Sequence, residues 1–305
     1  MKREDCNINL LTDFGFKRFF GTEPYKNNLI HFLNAFLPPY IGPVGDISYL
    51  PTEQLGLNDS NKRLVFDVLC ANQKNDHIIV EMQKASQEFF KDRVIAYSAR
   101  HISNSLEVGD RRYGFPTVIT IVLVDFEIPE LRENDRFILN VMLKDNGNKI
   151  FSEKVSFLLI DLTKFATKTE FGQLSDEEQK WCYVIKNMWR LKDGDIPAEE
   201  TVFRELYENC KISKLTTMEK QEYEKSILEY EDVKDAMEWH HRLGKTEGFN
   251  DGYEKGIEKG MDEAKRQLVK NMIENGIPIV TIAKITNLSE NEVRKICEDG
   301  VHQGG

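Results

Sequence analysis

The sequence predicts a mixed α/β or α+β domain with a helical C-terminal extension, and three stretches carry the prediction. Arg63–Cys70 and His77–Met82 are rich in β-branched and large apolar side chains and enclose the polar turn Asn72–Asp76, the pattern of a β-hairpin. Thr117–Val124 is a continuous apolar run of strand length, as expected of a strand covered on both faces. From Ser175 onward the strand pattern fades and apolar residues recur at helical spacing. Strands and helices thus follow one another in mixed order before a helical end.

Residues 8–21 open the chain as an amphipathic segment whose Phe14, Phe16, Phe19 and Phe20 supply core. Asp13 and Lys17 stand four apart, a spacing that on a helix makes an ion pair worth a few tenths of a kcal/mol. Asn27–Leu37 places Leu29, Ile30, Leu33 and Phe36 on one helical face, and Pro38-Pro39 ends it. Ile47–Leu50 reads as a strand leading toward the hairpin, with Asn58–Asn61 as the turn before it.

The hairpin carries charge where a core strand has none. Side chains alternate along a strand, so Val65, Asp67 and Leu69 share one face, and Ile79, Glu81 and Gln83 share one face of the partner. If Ala71 pairs with His77, Asp67 lies opposite Glu81, with Cβ atoms about 5 Å apart. Two carboxylates so placed repel. A hard cation between them removes the repulsion, and carboxylate oxygens are what Mg²⁺ or Mn²⁺ prefers. Gln83 points to the same side, where it can orient a water or a phosphate. A solvent-facing strand edge with two unrelated acids explains the same residues, and a register slip of one residue would put the acids on opposite faces.

Ser86–Leu106 carries Ile95, Ala99, Ile102 and Leu106 as a helical stripe for the core. The opposite face holds Arg93, Tyr97, Arg100 and His101. It is either a solvated polar face or an array that meets a phosphate backbone, with Arg93 pairing bidentately to an oxygen. His101 reads as a surface residue. Phe137–Leu143 and Lys154–Leu162 read as further strands, joined through Asp145–Asn148.

In the helical part, Trp181, Val184, Ile185 and Met188 make one stripe and Ile227, Tyr230 and Met237 belong to another. Gly244, Gly248, Gly252, Gly256 and Gly260 then recur every four residues. Each costs a helix about 1 kcal/mol relative to Ala. The stretch 243–262 is therefore a linker, or a helix that pairs closely through its glycine face. Met261–Glu274, Ile279–Ile285 and Glu290–Glu298 read as short helices, with Ser289 and Glu292 spaced as a capping box. Together, residues 263–305 make a small helical tail, either helix-turn-helix-like or a protein-contacting pair. Its last helix holds Glu290, Glu292, Glu298 and Asp299 beside Arg294 and Lys295, which disfavours DNA.

With 305 residues, 40% hydrophobic and 30% charged, the chain has room for one main domain and appendages. No apolar run approaches a membrane span, and no apolar h-region follows Met1–Cys6, so the expected setting is cytoplasmic and away from membranes. Cys6, Cys70, Cys182, Cys210 and Cys297 are scattered without C-x-x-C spacing and read as reduced thiols. The net charge of −10 argues against a nucleic-acid partner, but the excess is local. Residues 170–240 hold 18 acids against 10 bases, whereas residues 1–169 hold 22 against 21.

Asp67 on one strand, Glu81-Met82-Gln83 on the next and a helix after them resemble the signature of the PD-(D/E)XK nucleases. With the opening run Leu11–Gly21, and with Phe90, Arg93 and Tyr97 after Gln83, the chain more closely resembles the Rpn-type recombination-promoting nucleases, the PD-(D/E)XK nuclease family transposases, over roughly residues 8–240. The resemblance implies a restriction-endonuclease-like α/β core over 1–170, with an acidic helical region, 171–242, packed on it. It implies a DNA endonuclease dependent on Mg²⁺ or Mn²⁺, serving transposition or recombination. Asp67, Glu81 and the Met82 carbonyl would ligate the metal, and Gln83 would position the water. Asp13 would be a third acid, and Arg93, Tyr97, Arg100 and Lys17 would support the site or meet DNA. Gln83 replaces the superfamily's usual Lys and removes a cation from the site. Cutting both strands calls for a homodimer. A transposon-derived module that binds DNA or protein without cleaving is the rival from another class.

Overall fold

The computed structural model describes residues 7–54, 64–86, 88–106, 114–133, 135–166 and 170–301. The chain divides into two compact units, Met1–Asp235 and Ala236–Gly305. The predicted turn at Asn58–Asn61 and the predicted strand start at Arg63 lie outside the described residues.

The first unit opens with α1 (Asp13–Phe20), capped by Thr12, whose hydroxyl accepts from Gly15 N–H at 3.0 Å. α2 (Lys26–Phe36) ends before Pro38, as predicted. The same prolines then start a one-turn helix, α3 (Pro38–Ile41), because Pro suits the first helical position. Strands follow: β1 (Ile47–Tyr49), β2 (Glu53–Gln54), β3 (Leu64–Val65), β4 (Val68–Asn72) and β5 (His77–Gln83). After α4 (Phe90–Asn104) come β6 (Val118–Val124), β7 (Ile138–Lys144) and β8 (Ile150–Asp161). α5 (Glu177–Asn187), α6 (Thr201–Asn209) and the start of α7 (Thr217–Glu274) complete the unit.

Six strands form one mixed sheet in the order β1-β4-β5-β6-β8-β7, and β2 and β3 form a separate pair. β1, β4 and β5 run antiparallel, β5, β6 and β8 parallel, and β7 pairs antiparallel with β8. α4 is the crossover between the parallel strands β5 and β6. Every residue of β6 is buried, which explains its unbroken apolar sequence. α1, α2 and α5 cover one face, sharing a core with Val68, Val80 and Ile121. Trp181 of α5 is fully buried there, with its rings edge-on to Phe20, Phe32 and Phe203 and its N–H donated to His31 Nδ1 at 3.0 Å.

α4 covers the other face, rotated by about a third of a turn from the predicted stripe, of which Ile102 still packs against the core. Ile95 is 55% exposed and Ala99 is exposed, whereas Val94, Ser98 and His101 are buried. The sheet explains the rotation, because its face here is mixed: Leu69, Ile79 and Val118 are apolar, and Thr120 and His77 beside them are polar. Ser98 Oγ meets Thr120 Oγ1 at 2.7 Å, and His101 Nε2 meets His77 Nδ1 at 2.9 Å. His101 is therefore a core residue, not a surface one. Burial, with His77 adding to it, pushes its pKa down to about 4.

In the second unit the glycine-spaced stretch is helical throughout, within α7, and Met261–Glu274 is the end of that helix, not a short helix of its own. α8 (Ile279–Thr286) and α9 (Glu290–Val301) follow, and Val269, Ile282 and Val293 form a small core. The predicted capping box is present: Ser289 N–H donates to Glu292 Oε2 at 2.8 Å, and Glu292 N–H to Ser289 Oγ at 3.3 Å. Among the described residues no helix is long and apolar enough to cross a membrane, and Cys70, Cys182 and Cys210 are buried free thiols.

Candidate active site

Ala71 pairs with His77 and Val68 with Val80, the register predicted from the turn, so the next step brings Asp67 opposite Glu81. The strand predicted over Arg63–Cys70 is not continuous, however. It breaks at Phe66–Asp67, between β3 and β4. Phe66 turns its N–H away from β5 and donates it to Thr52 O at 3.0 Å, and its ring is buried under α4 against Tyr97 and His101.

The break replaces backbone partners by side chains. In β5 the odd residues bond toward β6: His77 N–H donates to Thr117 O, and Gln83 O accepts from Asp125 N–H. Even residues, Met82 among them, therefore face β4. Continuing the ladder would pair Met82 with Phe66. Instead Met82 N–H donates to Asp67 Oδ2 at 2.8 Å, and Asp67 N–H donates to Glu81 Oε1 at 3.3 Å. The Met82 carbonyl, pointing the same way, has lost its ladder donor to Thr52.

Glu81 is buried and Asp67 half-buried. Burial lifts the pKa of both carboxyls above the ordinary range, and for Glu81 the adjacent Asp67 charge adds to it. Lys17 of α1 approaches from the other layer, its Nζ 2.8 Å from Asp13 Oδ1 and 3.7 Å from Asp67 Oδ1. Burial opposes the charge on Lys17, yet Asp13, Asp67 and Glu81 together hold its pKa above the usual lysine value. From α4, Arg93 bonds the side-chain oxygen of Gln83.

The structure thus gathers Asp67, Glu81, Met82, Gln83, Lys17 and Arg93 at the end of β5. Asp13 stands one step back, its carboxylate on Lys17. Tyr97 packs its ring edge-on to Phe66, and Arg100, two turns beyond Arg93 on α4, has a buried guanidinium nitrogen with no hydrogen-bond partner among the described residues. No group of three or more acids, histidines or cysteines able to hold a metal occurs among the described residues. Two adjacent carboxylates and a carbonyl released from its ladder nevertheless make an all-oxygen donor set that fits Mg²⁺ or Mn²⁺, with water completing the shell.

One neighbour of the site escaped sequence reading. Asp125, whose amide bonds Gln83 O, lies half-buried directly after β6, its side chain turned inward, and is bonded by Lys186 of α5 and by Tyr230 of α7, whose hydroxyl lies at 3.0 Å. Its position immediately past an unbroken apolar strand is the one signal that pointed to it.

A mixed six-stranded sheet flanked by helices, with paired carboxylates where a hairpin opens, defines a restriction-endonuclease-like PD-(D/E)XK fold. The chain belongs to the PD-(D/E)XK nuclease family transposases, whose family model matches residues 10–239. No curated protein and no solved structure matches it.

Proposed function

We propose that this chain is a divalent-metal-dependent DNA endonuclease that hydrolyses phosphodiester bonds in transposition or recombination. The observation that supports it best is the pairing of Asp67 and Glu81 at the β4 break, where two like charges are held together by backbone N–H groups. Two acids so arranged are unfavourable unless a cation joins them.

Asp67, Glu81 and the Met82 carbonyl would hold the ion. When bound, Mg²⁺ or Mn²⁺ acidifies a water and offsets charge developing on the phosphate. Arg93 fixes Gln83 by its carbonyl oxygen, which leaves the Gln83 amide N–H groups to orient the attacking water and keeps the side chain from rotating. Tyr97 acts indirectly, by holding Phe66 and with it the backbone turn that presents Asp67. Asp13 is read as the holder of Lys17. Two such sites, hence a homodimer, would serve cleavage of both strands.

The test is nicking of supercoiled plasmid by the purified protein with Mg²⁺, Mn²⁺ or EDTA, beside Asp67→Ala and Glu81→Ala. Metal-dependent nicking lost in both variants is the expected result. DNA binding that persists in EDTA, with no nicking under any metal, would instead favour a binding module that does not cut.

A further inference from the structure

A phosphodiester entering this site meets two carboxylates while carrying a negative charge of its own, and attack adds more on its oxygens. One divalent ion balances the two acids and leaves the substrate's charge uncompensated. Position 83, whose side chain faces the same way as Glu81, is a neutral amide here. Arg93, from the α4 side, is already bonded to that amide.

From the α1 side comes Lys17. An ammonium has three donors, and Asp13 takes one at 2.8 Å. The 3.7 Å to Asp67 Oδ1 exceeds hydrogen-bond length, so the group stands beside the acid without being bound to it. Asp13, one turn earlier on the same helix, fixes the stem. The Thr12 cap and the burial of Phe16, Phe19 and Phe20 fix the helix. A charged donor is thus placed next to the acids from a fixed helix, with N–H groups to spare.

We propose that Lys17, delivered from α1, is the catalytic cation of this site and stabilises the charge that develops on the scissile phosphate, with Asp13 as its positioning residue. The proposal rests on the nuclease reading above. It differs from a plain ion-pair role for Lys17, which would strengthen the fold and leave turnover untouched.

The experiment compares the full chain with Lys17→Met, Lys17→Arg and the double variant Lys17→Met/Gln83→Lys on a duplex DNA. It reads kcat and KM in Mg²⁺ and, separately, Mn²⁺ affinity by calorimetry. Lys17→Met is expected to lower kcat by about 10²-fold or more, with KM little changed and with Mn²⁺ affinity equal or tighter, since a repelling charge has gone. Lys17→Arg should keep part of the rate. Adding Gln83→Lys should recover at least about tenfold, because it restores a cation to the same phosphate from the neighbouring strand. If Lys17→Met fails to fold by circular dichroism, Lys17→Gln, which retains a donor for Asp13, takes its place. Near-normal kcat in Lys17→Met overturns the proposal. So does a tenfold loss of Mn²⁺ affinity without rescue, which would mean that Lys17 only shapes the ligands. A wild type that fails to cut whichever metal is supplied overturns the nuclease reading and this proposal together, and the wild-type reaction alone reveals it.

Discussion

Glu81→Gln should make the metal-free protein more stable while disabling it. The amide keeps the shape of Glu81 and an oxygen for the Asp67 N–H, so the bond recorded at 3.3 Å survives. The like charge goes. Two carboxylates about 5 Å apart repel by about 3 kcal/mol at an effective dielectric of about 20. Asp67's side chain is 19% exposed, and solvent screening there reduces the gain to roughly 1–2 kcal/mol. For a domain of this size that is roughly 2–8 °C in Tm. The sign with pH follows from the raised pKa of both acids. Between the ordinary carboxylate range and the raised folded values, the folded state binds more protons than the unfolded chain, so wild-type stability falls as pH rises through that window. Glu81→Gln should lack most of this slope. It should match wild type near about pH 4, where Glu81, with its pKa raised to about 8, is protonated, and exceed it near about pH 8.5. Urea titrations in EDTA at both pH values measure this. Saturating Mg²⁺ should invert the order, adding about 2.7 kcal/mol to wild type at a hundredfold excess over Kd and little to the variant. No gain in EDTA near pH 8.5, or an equal gain near pH 4, would refute the electrostatic argument.

Other parts of the fold give sharper contrasts. Asp125→Ala strands the Lys186 ammonium and the Tyr230 hydroxyl at a site where the Asp125 side chain is 6% exposed, and should cost about 3 kcal/mol in urea titration. Gly15→Ala puts a Cβ 2.3 Å from Asn9 O and 2.9 Å from the capping Thr12 Oγ1, and should lower stability by about 2 kcal/mol in the same assay. Gly252→Ala meets nothing within 4 Å and should instead strengthen α7 by about 0.5–1 kcal/mol, read as greater helicity and later melting by circular dichroism.

Much of this architecture was legible in the sequence, because hydrophobic period and turn chemistry are local. The hairpin and its five-residue turn were legible, and the register supposed for it is the one found, while the buried strand β6 followed from its unbroken apolar run. α4 was misread for a reason that is not local. Which face of a helix is inward depends on what it covers, and α4 covers Gln83, Thr120 and His77, polar residues of a sheet assembled from distant segments. The break at Phe66 was equally hidden, since its cause is the Thr52 carbonyl. α7 defeated a propensity argument: five glycines did not end the helix. Lys17 was visible as a partner of Asp13 and, through the family resemblance, as a support of the site or a DNA contact, but its approach to Asp67 spans 50 residues and two layers and no local pattern carries it.

On the proposed reading Asp67 would serve the chemistry while its carboxylate also closes the sheet, and this limits which losses such a chain can bear. Losing the acid at 67 would also unseat the acceptor that closes Met82 into the hairpin, and losing the one at 81 would release the amide of Asp67. Only a replacement that keeps an oxygen in place, an amide at 67 or at 81, silences such a site without opening the hairpin. Copies that lose either oxygen outright should be frayed, whereas copies with an amide in its place should be silent and intact.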